Sequence, residues 1–272
     1  MSSERHDPTL DTLGDSSIPP EIAHASGATL VVSRDAAALT TRAAELFVTL
    51  AERAAAEEGT RFTVALSGGS TPKSLYSLLA TPAYARQIPW ERVHVFWGDE
   101  RHVAPDDAES NYRMAREALL SKVAIPAENV HRIRAEIPDA ADAAATYEAD
   151  LRGFFSLQPD ETPRFDLVLL GLGPDGHTAS LFPGTDAPHD TDSLVAAVWV
   201  EKLNAHRITL TAPVLNNAAT VAFLVAGAEK ADVVRQVLDG PREPDTLPAQ
   251  LIAPTDGDLL WFLDEAAAAQ VK

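Results

Sequence analysis

Short apolar segments alternate along the chain with longer segments in which apolar residues recur at helical spacing. The apolar segments are rich in Val, Leu and Phe and mostly continuous, which is typical of parallel strands covered on both faces. They are Thr29–Ser33, Phe62–Leu66, Val93–Trp97, Phe165–Leu170, Ile208–Thr211, Val221–Val225 and Leu259–Leu263. The helical segments are Ala36–Glu58, Thr71–Leu79, Ser110–Lys122, Ala140–Phe155 and Lys230–Leu238. This alternation predicts an α/β fold with a doubly wound, mostly parallel sheet flanked by helices.

The first part of the chain lacks this pattern. Residues 1–27 mix Ser, Pro, Asp and Gly without periodicity, which predicts a flexible N-terminal extension to which we assign no function. Residues 28–272 contain no internal repeat and no linker, so we expect them to form one α/β domain.

Composition narrows the class of protein. The chain is 46% hydrophobic and 23% charged, as expected for a globular protein in solution. No apolar run approaches the roughly 20 residues that span a bilayer, and the polar start lacks the basic and apolar regions of a signal peptide. We therefore expect a cytosolic protein without a membrane partner. Because cysteine is absent, disulfides, thiolate nucleophiles and cysteine-bound metals are excluded.

The net charge of −18 bears on possible partners. A nucleic-acid partner is not expected, because binding a phosphate backbone requires a basic surface that releases counterions. The charge itself is explained by a soluble surface whose copies repel one another. An anionic small molecule would still bind if the few Lys and Arg side chains converged on one pocket.

The segment Ser67–Pro72 follows a predicted strand and leads into a helix. Open α/β sheets bind ligands at the carboxyl ends of their strands, so this turn lies where a site is expected. Gly68 and Gly69 allow close backbone approach, and Ser70 and Thr71 add hydroxyls beside the N–H groups of a helix start, which favours phosphate. A plain Gly-Ser turn with a helix cap is the alternative. The spacing is not that of a Walker loop, so a nucleoside triphosphate is not expected.

Two charged side chains follow the next predicted strand. Asp99 and Arg101 stand two residues apart, so both can point into the same crevice, where Arg101 would make a bidentate contact with phosphate. A surface ion pair is the alternative interpretation.

A glycine-rich turn, Gly171–Gly184, follows the most apolar predicted strand. It places His177 at the strand end with Asp175 near enough to orient it. Imidazole, with an ordinary pKa of about 6.5, is suited to activate water at neutral pH. A structural histidine is the alternative. The third glycine and the acidic residue of a dinucleotide motif are not in register, so a dinucleotide is not expected.

Two further cations could balance the charge of a phosphate. Lys230 begins a helix directly after a predicted strand, on the expected ligand side. Arg207 opens a strand, which places it at the opposite edge of a parallel sheet unless that strand runs antiparallel. The other histidines show no ligand spacing, so we predict neither a metal site nor a cofactor.

Taken together, these segments resemble the 6-phosphogluconolactonase family of the pentose phosphate pathway, itself similar in fold to glucosamine-6-phosphate deaminases and isomerases. The resemblance runs from about Leu30 to Ala268, in the family's order. It implies a single α/β domain with a Rossmann-like sheet. It also implies hydrolysis of 6-phospho-D-glucono-1,5-lactone to 6-phospho-D-gluconate without a cofactor.

The resemblance also assigns roles to particular residues. It implies that Gly68–Thr71 form the phosphate cradle, that Asp99 and Arg101 form the strand-end pair, and that His177 is the general base. Lys230 is similar to the lysine near the phosphate. A sugar-phosphate lactone is thus the expected partner, and we expect a monomer or a weak homo-oligomer.

Two short segments separate the lactonases from their deaminase relatives. Residues 99–101 read Asp-Glu-Arg where deaminases resemble Asp-Glu-Tyr. The residues after His177 read Thr-Ala-Ser-Leu-Phe-Pro where deaminases carry an Asn-Glu-Pro-like segment, and Phe182 supplies no carboxylate. A deaminase or isomerase is the first alternative. A non-catalytic sugar-phosphate sensor is the second, although no basic helix-turn-helix is visible.

We expect His177 to take a proton from water, which attacks the lactone carbonyl, while Asp175 or a neighbouring carboxylate holds the imidazole tautomer. Backbone N–H groups or Arg101 would stabilise the oxyanion. The sequence has no Gly-x-Ser-x-Gly nucleophile elbow, so direct attack by water is preferred over an acyl-serine route.

Overall fold

The computed structural model describes residues 21–56 and 59–272. The strands are β1 (Glu21–Ala23), β2 (Thr29–Ser33), β3 (Phe62–Leu66), β4 (Val93–Trp97), β5 (Asp99–Arg101), β6 (Leu167–Leu170), β7 (Val195–Val200), β8 (Ala205–Leu210), β9 (Thr220–Val225) and β10 (Asp258–Asp264). The helices are α1 (Ala36–Ala56), α2 (Ser70–Leu79), α3 (Pro82–Ala85), α4 (Asn111–Ala115), α5 (Ala140–Phe155), α6 (Ala212–Asn216), α7 (Ala231–Asp239) and α8 (Glu265–Ala268). A π-helical turn, Arg116–Leu120, continues α4.

Two sheets organise the described residues. The larger has the order β1-β2-β10-β9-β6-β3-β4, and its neighbouring strands are parallel except for the antiparallel pair β1 and β2. The smaller has the order β5-β8-β7 and is antiparallel. Helix α1 packs against β2, β3 and β10, and α5 packs against β7 and β8. The predicted α/β class, with a mostly parallel sheet flanked by helices, is confirmed.

The continuous apolar segments form the centre of the larger sheet. Every residue of β3, β6 and β9 is buried, because helices and loops cover both faces of these strands. Strands β2, β3 and β4 have the predicted bounds, and helix α5 does as well. Strand β6 begins two residues later than predicted, because the Asp166 carboxylate accepts hydrogen bonds from the backbone N–H and hydroxyl of Thr63, both at 2.7 Å.

The structure differs from the sequence reading at the smaller sheet and at residues 21–23. The segment Ile208–Thr211 was expected in the parallel sheet, but β8 begins at Ala205 and pairs antiparallel with β5 and β7 in the smaller sheet. Residues 21–23 were assigned to the flexible extension, but they form β1 by pairing with β2. The rest of the predicted extension, residues 1–20, lies outside the described residues. Within the described part, no helix is both long and apolar enough to cross a membrane.

Buried tyrosine hydroxyls fix two strand ends beside the crevice. The Tyr76 hydroxyl donates to the Ser67 carbonyl at 2.9 Å and accepts from the Ser67 N–H at 3.0 Å. Tyr147 makes the same pair of bonds to Trp97, at 3.0 and 2.9 Å. The peptide groups that leave β3 and β4 are therefore satisfied away from the sheet ladder, and the loops that follow start from fixed points.

One glycine joins the two sheets. The N–H of Gly98 donates to the Leu66 carbonyl at 2.8 Å, and the carbonyl of Gly98 accepts from the N–H of Leu210 at 2.8 Å. The smaller sheet is thereby held over the carboxyl ends of β3 and β4, which is where the sequence predicts a site.

Candidate active site

A cavity of about 510 Å³ lies at the carboxyl ends of β3, β4, β6 and β9, beside the smaller sheet. Every residue that the sequence singled out contributes to its wall. These are Gly68, Gly69, Ser70, Thr71, Asp99, Arg101, Asp175, His177, Arg207 and Lys230. Residues from five separate parts of the chain are therefore brought to one site, as the strand-end rule predicts.

The histidine of this cavity is held on one edge and one face. Nδ1 of His177 hydrogen-bonds to Oδ1 of Asp175, and the imidazole stacks on Phe182 with ring centroids 4.1 Å apart. Within residues 21–56 and 59–272, Nε2 of His177 makes no hydrogen bond. Because Asp175 engages Nδ1, the neutral tautomer carries its proton there and presents the Nε2 lone pair to the cavity.

The pKa values of Asp175 and His177 are both lowered from their ordinary values. Burial raises the pKa of Asp175, but hydrogen bonds from Lys202 and His177 outweigh it and bring that pKa to about 2. Burial lowers the pKa of His177, and the opposing attraction of Asp175 only partly offsets this effect. At neutral pH the pair therefore consists of a carboxylate and a neutral imidazole, which is the form a general base requires.

The glycine-serine loop, residues 67–72, lines the cavity and contains the start of α2. Gly69 precedes α2 with a φ of 105°, in the region that favours glycine, and no side chain caps the helix start. The first N–H groups of α2 have no intrahelical partners, and they face an exposed surface at Gly69 and Ser70. This arrangement is suited to an anion.

Gly68 lies against the amide of Asn111, so a Cβ at this position would overlap that side chain. The Asn111 amide donates to the Asp99 carbonyl at 2.9 Å and to its carboxylate at 3.3 Å.

We expect Gly68→Ala to displace Asn111, to lower activity at least tenfold, and to cost about 1–3 kcal/mol of stability. Thermal unfolding and steady-state kinetics check this. Gly153→Ala is the control, because nothing lies near a Cβ there, and equal kinetics for the two variants would contradict the expectation.

Asp99 ties three parts of the site together. It is 8% exposed, and its Oδ2 accepts from the Ser180 hydroxyl at 2.7 Å while Oδ1 faces Asn111. The turn that carries His177, strand β5 and the start of α4 are therefore linked through one carboxylate.

Glu100 is a residue of this region that the sequence reading missed. Its carboxylate is 2% exposed and accepts hydrogen bonds from the N–H groups of Arg101, Asn111 and Tyr112 and from the Ser110 hydroxyl, at 2.7–3.0 Å. Burial raises the pKa of Glu100, although these hydrogen bonds favour its charged form. The carboxylate accepts hydrogen bonds from the first N–H groups of α4, which lie eleven and twelve residues further along the chain, and no helix-capping pattern spans that separation.

Two arginines face each other across the smaller sheet. Arg101 on β5 is the register partner of Arg207 on β8. Burial lowers the pKa of Arg207, and the charge of Arg101 lowers it further. Like charges directly opposite each other destabilise a sheet, although the carboxylates of Asp99, Glu109 and Glu100 partly compensate the charge of Arg207. A bound anion would compensate the pair further. The antiparallel direction of β8 brings Arg207 to the cavity, which the sequence left open.

Two lysines line the cavity together with Arg101 and Arg207, and these four side chains form its cationic wall. The ammonium of Lys230 donates to the Leu172 carbonyl at 2.8 Å, at the base of the turn that carries His177. Lys202, which the sequence reading missed, hydrogen-bonds to Oδ2 of Asp175. It lies in the turn between β7 and β8, and its place beside Asp175 follows only from tertiary pairing. Among the described residues, no group of three or more His, Asp and Glu side chains is arranged to hold a metal ion.

Comparisons with known proteins agree on the relatives of this chain. The sequence model described as glucosamine-6-phosphate isomerases/6-phosphogluconolactonase matches residues 34–261. The 6-phosphogluconolactonase of Nostoc sp. is 46% identical over 244 residues, which are 90% of this chain and 98% of that protein. Among solved structures, the devB protein superposes with a TM-score of 0.82 and 39% identity, over 89% of this chain and 99% of that one. The 6-phosphogluconolactonase from Trypanosoma brucei gives a TM-score of 0.79 and 31% identity, over 90% and 99%.

Proposed function

The chain belongs to the family of glucosamine-6-phosphate isomerases and 6-phosphogluconolactonases, and on that premise we propose that His177 is the base of a lactonase. The enzyme hydrolyses 6-phospho-D-glucono-1,5-lactone to 6-phospho-D-gluconate, the lactone-opening step of the oxidative pentose phosphate pathway. The names of its relatives support this activity, as does the large share of the chain over which they match it.

One observation carries the assignment of the base. His177 is fixed through Nδ1 and stacked on Phe182, so its Nε2 faces a cavity that also contains Arg101 and Lys230. A neutral imidazole opposite a cationic wall suits a reaction in which water attacks a neutral carbonyl of a phosphorylated substrate.

The reaction needs two proton transfers. Nε2 of His177 takes a proton from water as its oxygen attacks the lactone carbonyl, and Asp175 stabilises the imidazolium that forms. The tetrahedral oxyanion is stabilised by Arg101 or by backbone N–H groups, a contribution of about 3 kcal/mol for one such donor. When the intermediate collapses, the bond to the ring oxygen breaks and His177 returns the proton to it. The resulting carboxylic acid ionises to the product.

The phosphate orients the ring over the base. Arg101, Arg207 and Lys230 supply three positive charges, and the start of α2 supplies N–H groups. Fixing the phosphate at one end places the lactone carbonyl at the other, which converts a collision into a positioned reaction.

A sugar-phosphate deaminase or isomerase is the nearest alternative. The ring of His177 stacks on the buried Phe182, where the deaminase pattern has an acidic segment, so no carboxylate is supplied there for ring opening. Ammonia release from glucosamine 6-phosphate or formation of a ketose would identify that alternative.

Two further proposals concern the cellular location of the protein and its oligomeric state. We propose a place in the cytosol, and the net charge of −18, which makes copies repel one another, supports a monomer or a weak homo-oligomer.

The acid limb of the pH profile tests the base. We expect kcat/KM to be constant near pH 7–8 and to fall as pH decreases through the pKa of His177, because the protonated imidazole cannot accept a proton. Burial lowers that pKa, so the fall is centred below the ordinary value of about 6.5. Lactone hydrolysis at constant ionic strength, corrected for the spontaneous reaction, measures it. A profile that stays flat down to pH 5, or falls already above pH 7, argues against this base.

A further inference from the structure

Lys202 contacts both neighbours of the His177 ring. Its ammonium hydrogen-bonds to Oδ2 of Asp175, while Oδ1 of the same carboxylate engages Nδ1 of His177. The same ammonium lies 4.8 Å from the centroid of Phe182, the ring on which His177 stacks. Lys202 therefore closes a ring of contacts around the base, although it lies 25 residues further along the chain.

A salt bridge at the rim of a cavity usually contributes little, because water screens it. The Lys202 side chain is half exposed, at 50%, which fits that description. Asp175 is different, since its side chain is 26% exposed and its other oxygen is already committed to His177. A cation at Oδ2 thus decides how this carboxylate is oriented, and the contact with Phe182 limits where the cation can lie.

We propose that Lys202 is a positioning residue of the hydrolytic reaction: it holds Oδ2 of Asp175, so that Oδ1 stays aligned with Nδ1 of His177 and Nε2 stays directed at the attacking water. The proposal rests on the proposed role of His177 as the base. Without Lys202, the carboxylate stays beside the ring but can turn about its Cβ–Cγ bond and offer either oxygen to Nδ1, so the imidazole is no longer held in a single orientation.

Charges on three elements face the imidazole. Asp175 on its own turn and Asp99 after β4 raise the pKa of His177, and Lys202 on the β7–β8 turn lowers it, while burial lowers it most. Removal of the ammonium leaves two carboxylates facing the ring. The pKa of His177 then rises, and a larger fraction of the base is protonated at a given pH.

Lys202→Met tests this, because methionine keeps an unbranched side chain of nearly the same length but removes the charge. We expect kcat to fall about tenfold, a part of the 10²- to 10⁴-fold contribution of a positioned base. The acid limb of kcat/KM is expected to move upward by about half a pH unit. Lys202→Arg should restore most of the activity. Lys122→Met, which removes the same charge at an exposed position away from the cavity, should match the wild type.

A second measurement does not depend on turnover. NMR titration of the His177 ring signals, identified by their loss in His177→Asn, should show an upward shift in Lys202→Met and none in Lys122→Met. An unchanged His177 titration overturns the proposal, and so does a loss of kcat with an unmoved acid limb, which would place Lys202 on the reacting carbonyl instead. Because the titration is read without substrate, a failure of the lactonase assignment is recognised separately, by absence of hydrolysis in the wild type.

Discussion

His177→Asn is expected to lower kcat/KM for the lactone by about 10²- to 10⁴-fold, the range that a positioned general base contributes. Asparagine preserves a polar side chain against Phe182 but cannot accept a proton from water at neutral pH. The loss should lie in kcat, because the cations that bind the phosphate are unchanged. Steady-state kinetics with freshly generated lactone, together with calorimetric binding of 6-phosphogluconate, separates the two effects.

The matched control for this variant is His189→Asn. His189 is exposed and lies outside the cavity, so its replacement should leave the kinetics unchanged. The spontaneous opening of the lactone is subtracted from every rate. If His177→Asn retained more than about a tenth of the wild-type kcat/KM, another group would be the base.

The double variant Arg101→Met/Arg207→Met is expected to lose about 10²-fold or more in kcat/KM for the phosphorylated lactone. Each hydrogen bond to a charged group contributes about 1.5–3 kcal/mol, and the two arginines share one anion, so their effects do not simply add. If backbone N–H groups rather than Arg101 stabilise the oxyanion, the unphosphorylated glucono-1,5-lactone should be turned over at nearly the wild-type rate. Thermal stability should be unchanged or higher, because the variant removes like charges from opposite positions of β5 and β8.

Arg34→Met/Arg235→Met is the control for the change in net charge. Both arginines are on the surface in ion pairs with neighbouring aspartates, and neither lines the cavity. If the cavity variant lost activity equally on both lactones, the arginines would act on the carbonyl rather than on the phosphate.

Much of the larger sheet could be predicted from the sequence, and the smaller sheet could not. Strands β3 and β9 are buried throughout, so their apolar side chains form runs that stand out from the flanking sequence. In β7, by contrast, buried and partly exposed positions mix and Trp199 is exposed, because this strand lies at the edge of a small sheet. Strands β1 and β5 have three residues each and are defined only by the strand with which they pair.

The candidate site shows the same division. Residues in the segments that follow parallel strands, such as Asp99 and His177, could be predicted because the topology brings strand ends together. Lys202 and Asn111 could not, since the first follows an unpredicted strand and the second reaches the cavity through the cap that Glu100 places on α4. The direction of β8, on which the place of Arg207 depends, is set by pairing with β5.

The most direct test of the account is the rate at which the wild-type protein opens freshly generated 6-phospho-D-glucono-1,5-lactone, followed by acid release beside a blank without enzyme. The account predicts a rate well above the blank and proportional to enzyme concentration, with no ammonia released from glucosamine 6-phosphate. A rate equal to the blank, or ammonia release from the amino sugar, would contradict it.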